Sequence, residues 1–179
     1  MAGQRWQMRL RDVEPGNVGA YVRMRCDPVM MADLGGPLPR EGIEEKVARD
    51  ARAAAAGDSW IKMIVTGTST EAVAGSVVLW SHDEDGGEPV SEIGWMVLPE
   101  FQGRGLGKQA VRMLLELAAD DGRWGLIHAF PATANGPSNG ICRSLGFRVA
   151  GELQGRRRAG CDLCRSCPAE QSLDHRPCH

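Results

Sequence analysis

The chain has 179 residues, enough for one globular domain that buries roughly two-thirds or more of the surface its unfolded form exposes. A hydrophobic share of 42%, a charged share of 25% and a formal charge of −2 give no basis for a nucleic-acid or anionic-membrane partner. No apolar run approaches the ~20 residues needed to span a bilayer, and the first sixteen residues lack the apolar core of a secretory signal, so a cytoplasmic location is expected.

In chain order, "RWQMRLRDV" (5–13) alternates Trp6, Met8 and Leu10 with polar residues and predicts a strand. A short helix interrupted by Pro28 is expected over 17–31, a loop over 35–39, and a helix over 41–56 that Gly57 stops. "WIKMIVT" (60–66) and "AVAGSVVLW" (72–80) read as adjacent strands, the acidic, Gly-rich stretch 81–88 as a loop, and "VSEIGWMVL" (90–98) as the next strand. From Gly105 the period becomes helical: Leu106, Ala110, Leu114 and Leu117 recur on one face up to about Asp121. A buried strand over 125–130, a helix over 135–145 and a strand in "FRVAGEL" complete an α/β domain on a mixed sheet. This domain is expected to span 1–155. Beyond it, residues 156–179 lose apolar alternation and gather Cys, His and Arg.

The stretch "LPEFQGRGLGKQAVRMLLEL" sets Gly103, Gly105 and Gly107 between a strand and an amphipathic helix. Such a turn brings backbone N–H groups to a phosphate without Cβ obstruction, and the helix N-terminus adds donors and a favourable dipole. Arg104 and Lys108 add positive charge. A P-loop is excluded because Gln102 and Gln109 stand where it needs Gly and Ser or Thr. A dinucleotide fingerprint from Gly103 is excluded by Lys108.

The spacing Gln102, Gly105, Gly107, with "EIGWMV" before it and "NGPSNGICRSLGF" after it, resembles the GCN5-related N-acetyltransferase (GNAT) superfamily. "MRLRDV" and "CDPVMMADLGGPLP" are similar to the branch acting on small amines or protein N-termini. The resemblance implies a mostly antiparallel mixed sheet flanked by helices, acetyl-CoA as donor, and direct transfer to a primary amine in a ternary complex without a metal. It also implies that Met96, Val97 and Leu98 face the pantetheine, that Gln102, Gly103, Arg104, Gly105, Leu106, Gly107 and Lys108 wrap the pyrophosphate, and that Asn135 and Asn139 lie near the cofactor. Two copies pair through the C-terminal sheet edge in many members, making a homodimer an expectation.

An attacking amine must lose a proton, and Glu92 matches the strand carboxylate that serves as base in some members. The alternative for Glu92 is a local hydrogen bond or a substrate cation. The position of the family's Tyr acid holds Cys142, whose thiol can donate a proton or simply fill the core; solvent or Ser138 are the substitutes. His128 reads as a structural strand residue. Asp27, Asp33 and Glu41 stand where the early helices and the 35–39 loop would form the acceptor pocket. Three readings of the tail compete: zinc on Cys161, Cys164, Cys167, His175, Cys178 and His179, a solvated segment, or a changed reading frame near residue 154. The rival functions are a non-catalytic acyl-CoA-binding or regulatory domain and a metal-binding interaction module on the tail.

Overall fold

The computed structural model describes residues 7–67, 70–83, 89–153 and 156–162. Seven strands form one sheet in the order β1-β2-β3-β4-β5-β7-β6. They are β1 (Met8–Asp12), β2 (Trp60–Thr66), β3 (Ala72–Asp83), β4 (Pro89–Val97), β5 (Leu126–Ala129), β6 (Arg148–Leu153) and β7 (Arg156–Asp162). Every neighbouring pair is antiparallel except β4 with β5, which is parallel. The mixed, mostly antiparallel sheet is the one expected.

Four helices cover its faces: α1 (Val18–Arg25), α2 (Ile43–Ala56), α3 (Leu106–Asp121) and α4 (Gly136–Ser144). Strand alternation divides the apolar side chains into two cores. On one face Val77, Leu79 and Ile93 meet the α3 stripe of Leu106, Ala110, Val111 and Leu114, with Cys142 and Phe147 beside them. On the other face Ile61, Met63, Val65, Met96 and Leu98 pack against Tyr21 and Met24 of α1 and Ile43 and Val47 of α2. Burying side chains of this size contributes about 1.5–3 kcal/mol each, which makes these two faces the main source of the sheet's stability.

Three expectations need correction. Strand β3 runs to Asp83 rather than ending at Trp80, because Ser81, His82 and Asp83 keep antiparallel pairing with β4. The helix expected over 17–31 stops at Arg25, with Cys26 capping it; beyond it Asp27 Oδ1 accepts from the backbone N–H groups of Val29 and Met30, folding a turn around Pro28. Residues 156–162 are strand, not the start of a segment outside the sheet: β7 lies between β5 and β6 and pairs with both. Its backbone fills the edge that β5 would otherwise leave open, a pairing that needs no apolar alternation. Of the tail residues proposed as zinc ligands, Cys164, Cys167, His175, Cys178 and His179 lie outside the described residues.

Among the described residues no helix is long and apolar enough to cross a membrane.

Candidate active site

The sheet opens at one seam. Strands β4 and β5 pair only at Ser91 with Ile127 and Glu92 with His128. Strand β4 then continues to Val97 while β5 stops at Ala129, so the two diverge into a wedge with its apex at Glu92 and His128. A wedge between parallel strands leaves one backbone edge of β4 without a strand partner past Glu92, and its polar groups become available to a ligand.

The open end of β4 feeds a short 3-10 turn (Pro99–Phe101) and then the glycine loop. Gly103 and Gly105 adopt left-handed φ of +73° and +75°. A Cβ built at either position meets nothing within 4 Å, so the loop is bounded by open space rather than protein. Gly105 is also the N-cap of α3, and no capping side-chain hydrogen bond occupies the helix's first N–H groups. The loop thus presents backbone donors, a helix dipole over sixteen residues, and the cations Arg104 and Lys108. Those features fit a pyrophosphate. Gly107 does a different job: a Cβ there would lie 3.3 Å from Val97 Cγ2 and Ile141 Cδ1, so its bareness lets α3 sit close on β4.

Gln102, though exposed, folds back on β4. Its Nε2 donates to the Val97 carbonyl at 2.9 Å, tying the loop to the end of β4, while the N–H of Leu98 in the same peptide unit donates to Ala74 of β3. Because carbonyl and N–H point oppositely across a trans peptide, the Val97 carbonyl faces the wedge side. Met96 and Leu98 are 7% and 1% exposed, with side chains in the α1–α2 core, so only their backbones reach the wedge. Strands β3 and β4 also come unusually close just before the loop. A Cβ on Gly75 of β3 would lie 2.0 Å from the Met96 carbonyl oxygen, so the strands approach here as only glycine permits.

Beyond β5, Asn135 caps α4 by accepting from the Ser138 N–H at 3.0 Å. Asn139 is buried, and its Nδ2 donates to the carbonyls of Ala132 and Asn135 at 2.8 and 2.7 Å. Both asparagines therefore hold the loop that follows β5. Cys142 is 4% exposed inside the α3-side apolar core, the setting of a packing side chain.

At the apex Glu92 stands on the α1–α2 face, with one carboxylate oxygen 3.0 Å from His82 Nε2. His128 is 7% exposed, and its ring stacks against Phe130 at 6.3 Å. His82 escaped the sequence reading because its segment was assigned to a loop. The one available signal was its spacing of ten residues from Glu92 across a turn. Beside the turn that follows β4, a cavity of about 300 Å³ lies next to α1, lined by Asn17, Leu98 and Phe101, with the Arg23–Glu100 ion pair (2.5 Å) at its edge. That ion pair holds the Glu100 carboxyl below its usual range. On the same face Tyr21, pushed above its ordinary value chiefly by burial and then by Asp50, donates to Asp50 at 2.9 Å.

Comparison with known proteins agrees with this geometry. The family model described as an acetyltransferase (GNAT) domain matches residues 7–148. The chain belongs to the GNAT acetyltransferases, acyltransferases that use acetyl-CoA as donor. Its fold is similar to that of a GNAT-family acetyltransferase from Bacillus anthracis (TM-score 0.72, 17% identity, covering 88% of this chain and 95% of that one). It is also similar to the spermidine N-acetyltransferase of Vibrio cholerae solved with CoA and spermine (TM-score 0.70, 16% identity, 86% and 93% covered). A third similar structure is the Salmonella typhimurium acetyltransferase that modifies the N-terminal serine of ribosomal protein L7/L12 (TM-score 0.63, 17% identity, 86% and 91% covered). Comparison by sequence with curated proteins gives no match.

Proposed function

We propose that this chain transfers the acetyl group of acetyl-CoA directly to a primary amine, on a small molecule or a protein N-terminus, in a ternary complex. The observation that carries the reading is the continuity of the wedge. One strand, β4, runs from a carboxylate at the apex to a glycine cradle at the open end. In this arrangement residues 103–108 take the pyrophosphate and the free edge of β4 takes the pantetheine. Gln102 acts indirectly, by fixing the Val97 carbonyl.

Glu92 is the general base. The amine nitrogen gives its proton to the carboxylate as it attacks the thioester carbonyl, and the sulfur leaves as the C–S bond breaks. The groove is open to water, so solvent can protonate the departing thiolate; the core position of Cys142 favours packing over that role. Much of the acceleration comes from holding amine and thioester together, which is worth up to about 7–11 kcal/mol in well-oriented systems.

Two amines chosen from the similar structures test the reading: spermine, and a peptide with a free N-terminal serine. CoA release that depends on either amine, together with stabilisation by acetyl-CoA, is expected. Saturation at ~100 times the dissociation constant raises stability by roughly 2.7 kcal/mol. Absence of a thermal shift in a folded protein would sink the donor-site reading. Stabilisation without release on either amine would remove these two acceptor classes.

A further inference from the structure

The donor cradle leaves one polar pair unexplained, the contact between His82 and Glu92. Trp80 is the register partner of Glu92, and His82 is that of Val90. Residues 80, 82, 90 and 92 therefore share one face of the sheet, with His82 and Glu92 diagonal neighbours within reach of long side chains. Strand β5 supplies His128 as the partner of Glu92 on its other flank. The titratable groups facing Glu92 from the two adjoining strands are thus His82 and His128.

The contact fixes a tautomer. When Glu92 is ionised, as a base must be, its carboxylate can only accept hydrogen bonds, and the shared proton then sits on His82 Nε2. The imidazole is itself walled in. The Trp80 ring lies 6.5 Å from it, inclined by 30°. Two atoms of the same indole lie 3.5 Å from where a Cβ on Gly94 would stand, so the ring reaches over β4 at ordinary contact distance. The side chains of His82 and Glu92 are 35% and 20% exposed, partly sheltered and still reachable from the groove.

A general base works only if it meets the incoming proton at hydrogen-bond distance, and a glutamate has three side-chain torsions to fix before it does. We propose that His82 is the positioning residue for Glu92, its Nε2–H holding the carboxylate at the wedge apex in the orientation that receives the amine proton. The inference rests on Glu92 being the base, and its test separates the two ideas.

Steady-state kinetics with acetyl-CoA, spermine and the N-terminal serine peptide would compare His82→Ala, His82→Gln, Glu92→Gln and the double variant His82→Ala/Glu92→Gln. His82→Ala should lower kcat by about tenfold or more while leaving KM for acetyl-CoA within about twofold, because only an orientation is lost. His82→Gln, whose amide nitrogen can reach the carboxylate, should recover most of that loss. In the Glu92→Gln background, His82→Ala should add less than about twofold, as two residues acting through one group do not add. Unchanged kcat in His82→Ala, with Glu92→Gln inactive, would overturn the positioning role and leave the base in place. Equal losses in His82→Ala and His82→Gln would also overturn it, since they would mark a packing role alone. Full activity in Glu92→Gln would remove the base and this inference with it. Independently of any acceptor, ¹⁵N NMR of the imidazole should show Nε2 protonated; a neutral ring protonated at Nδ1 overturns the contact.

Discussion

The two ends of the wedge are made of different material. At the open end the exposed polar groups are backbone: N–H donors at a helix start, held in place by two left-handed glycines and by space where side chains would be. At the apex they are side chains, Glu92, His82 and His128, brought together by the register of β3, β4 and β5. A backbone site is specified by what is missing, so almost any added atom damages it. A side-chain site is specified by single functional atoms on a rigid sheet, so an isosteric exchange can silence it while the fold stands.

That contrast can be broken most sharply at the apex. Glu92→Gln removes one charge at constant shape and should reduce kcat by about 10²-fold or more. Acetyl-CoA should still raise the melting temperature of this variant by the wild-type amount. At the other end, Gly105→Glu puts a Cβ and a negative charge at a left-handed helix N-cap. The conformation alone costs roughly 1–2 kcal/mol for a residue with a Cβ, and the charge opposes an anionic ligand. That strain lowers stability, while the charge acts on binding: calorimetric affinity for acetyl-CoA should fall by more than about tenfold, a factor that about 1.4 kcal/mol of repulsion supplies.

Gly75→Ala tests whether the strand behind the cradle is equally intolerant. A Cβ 2.0 Å from the Met96 carbonyl forces β3 and β4 apart, and chemical denaturation should show a loss of about 1–3 kcal/mol, the usual range for overpacking. Cys142→Ala should cost about 1 kcal/mol of stability with kcat changed by less than about threefold, as for a small core side chain. A kcat loss far beyond that factor would return the thiol to the chemistry.

The smallest effect concerns Tyr21. Its folded-state pKa lies above the ordinary value of 10.0, so the folded protein holds the phenolic proton more tightly than the unfolded chain does. The associated stability is fully present below pH 10 and declines as pH rises further. Tyr21→Phe should flatten that alkaline decline in thermal melts.

The same contrast governs what could be read from the sequence. The cradle was legible because glycines at 103, 105 and 107 followed by a helical period form a local pattern, and the structure places Gly103 and Gly105 in the left-handed region. Met96 and Leu98 were expected to face the pantetheine, but their side chains lie in the α1–α2 core, since which face a residue takes depends on the packed helices. The apex was half visible. Glu92 stood out as a strand carboxylate, whereas His82 did not, because polar residues 81–83 carry no apolar alternation and only pairing with β4 makes them strand. Strand β7 was missed for a related reason: its pairing with β5 and β6 is a backbone property that "RRRAGCD" does not announce.

The position of β7 makes it the sheet partner of two other strands. Strands β1 to β4 pair with one another in chain order, whereas among the described residues β6 has no sheet neighbour except β7, which follows it in the chain. The far wall of the wedge, β5, is therefore braced on its outer edge by residues 156–162, and a chain stopped at 155 would leave β6 without its sheet partner and β5 with an open edge. An alteration near that point would leave the cradle's own residues intact while the groove lost the partner that supports β5. The wedge is thus braced from the side opposite to the one that carries its most recognisable residues.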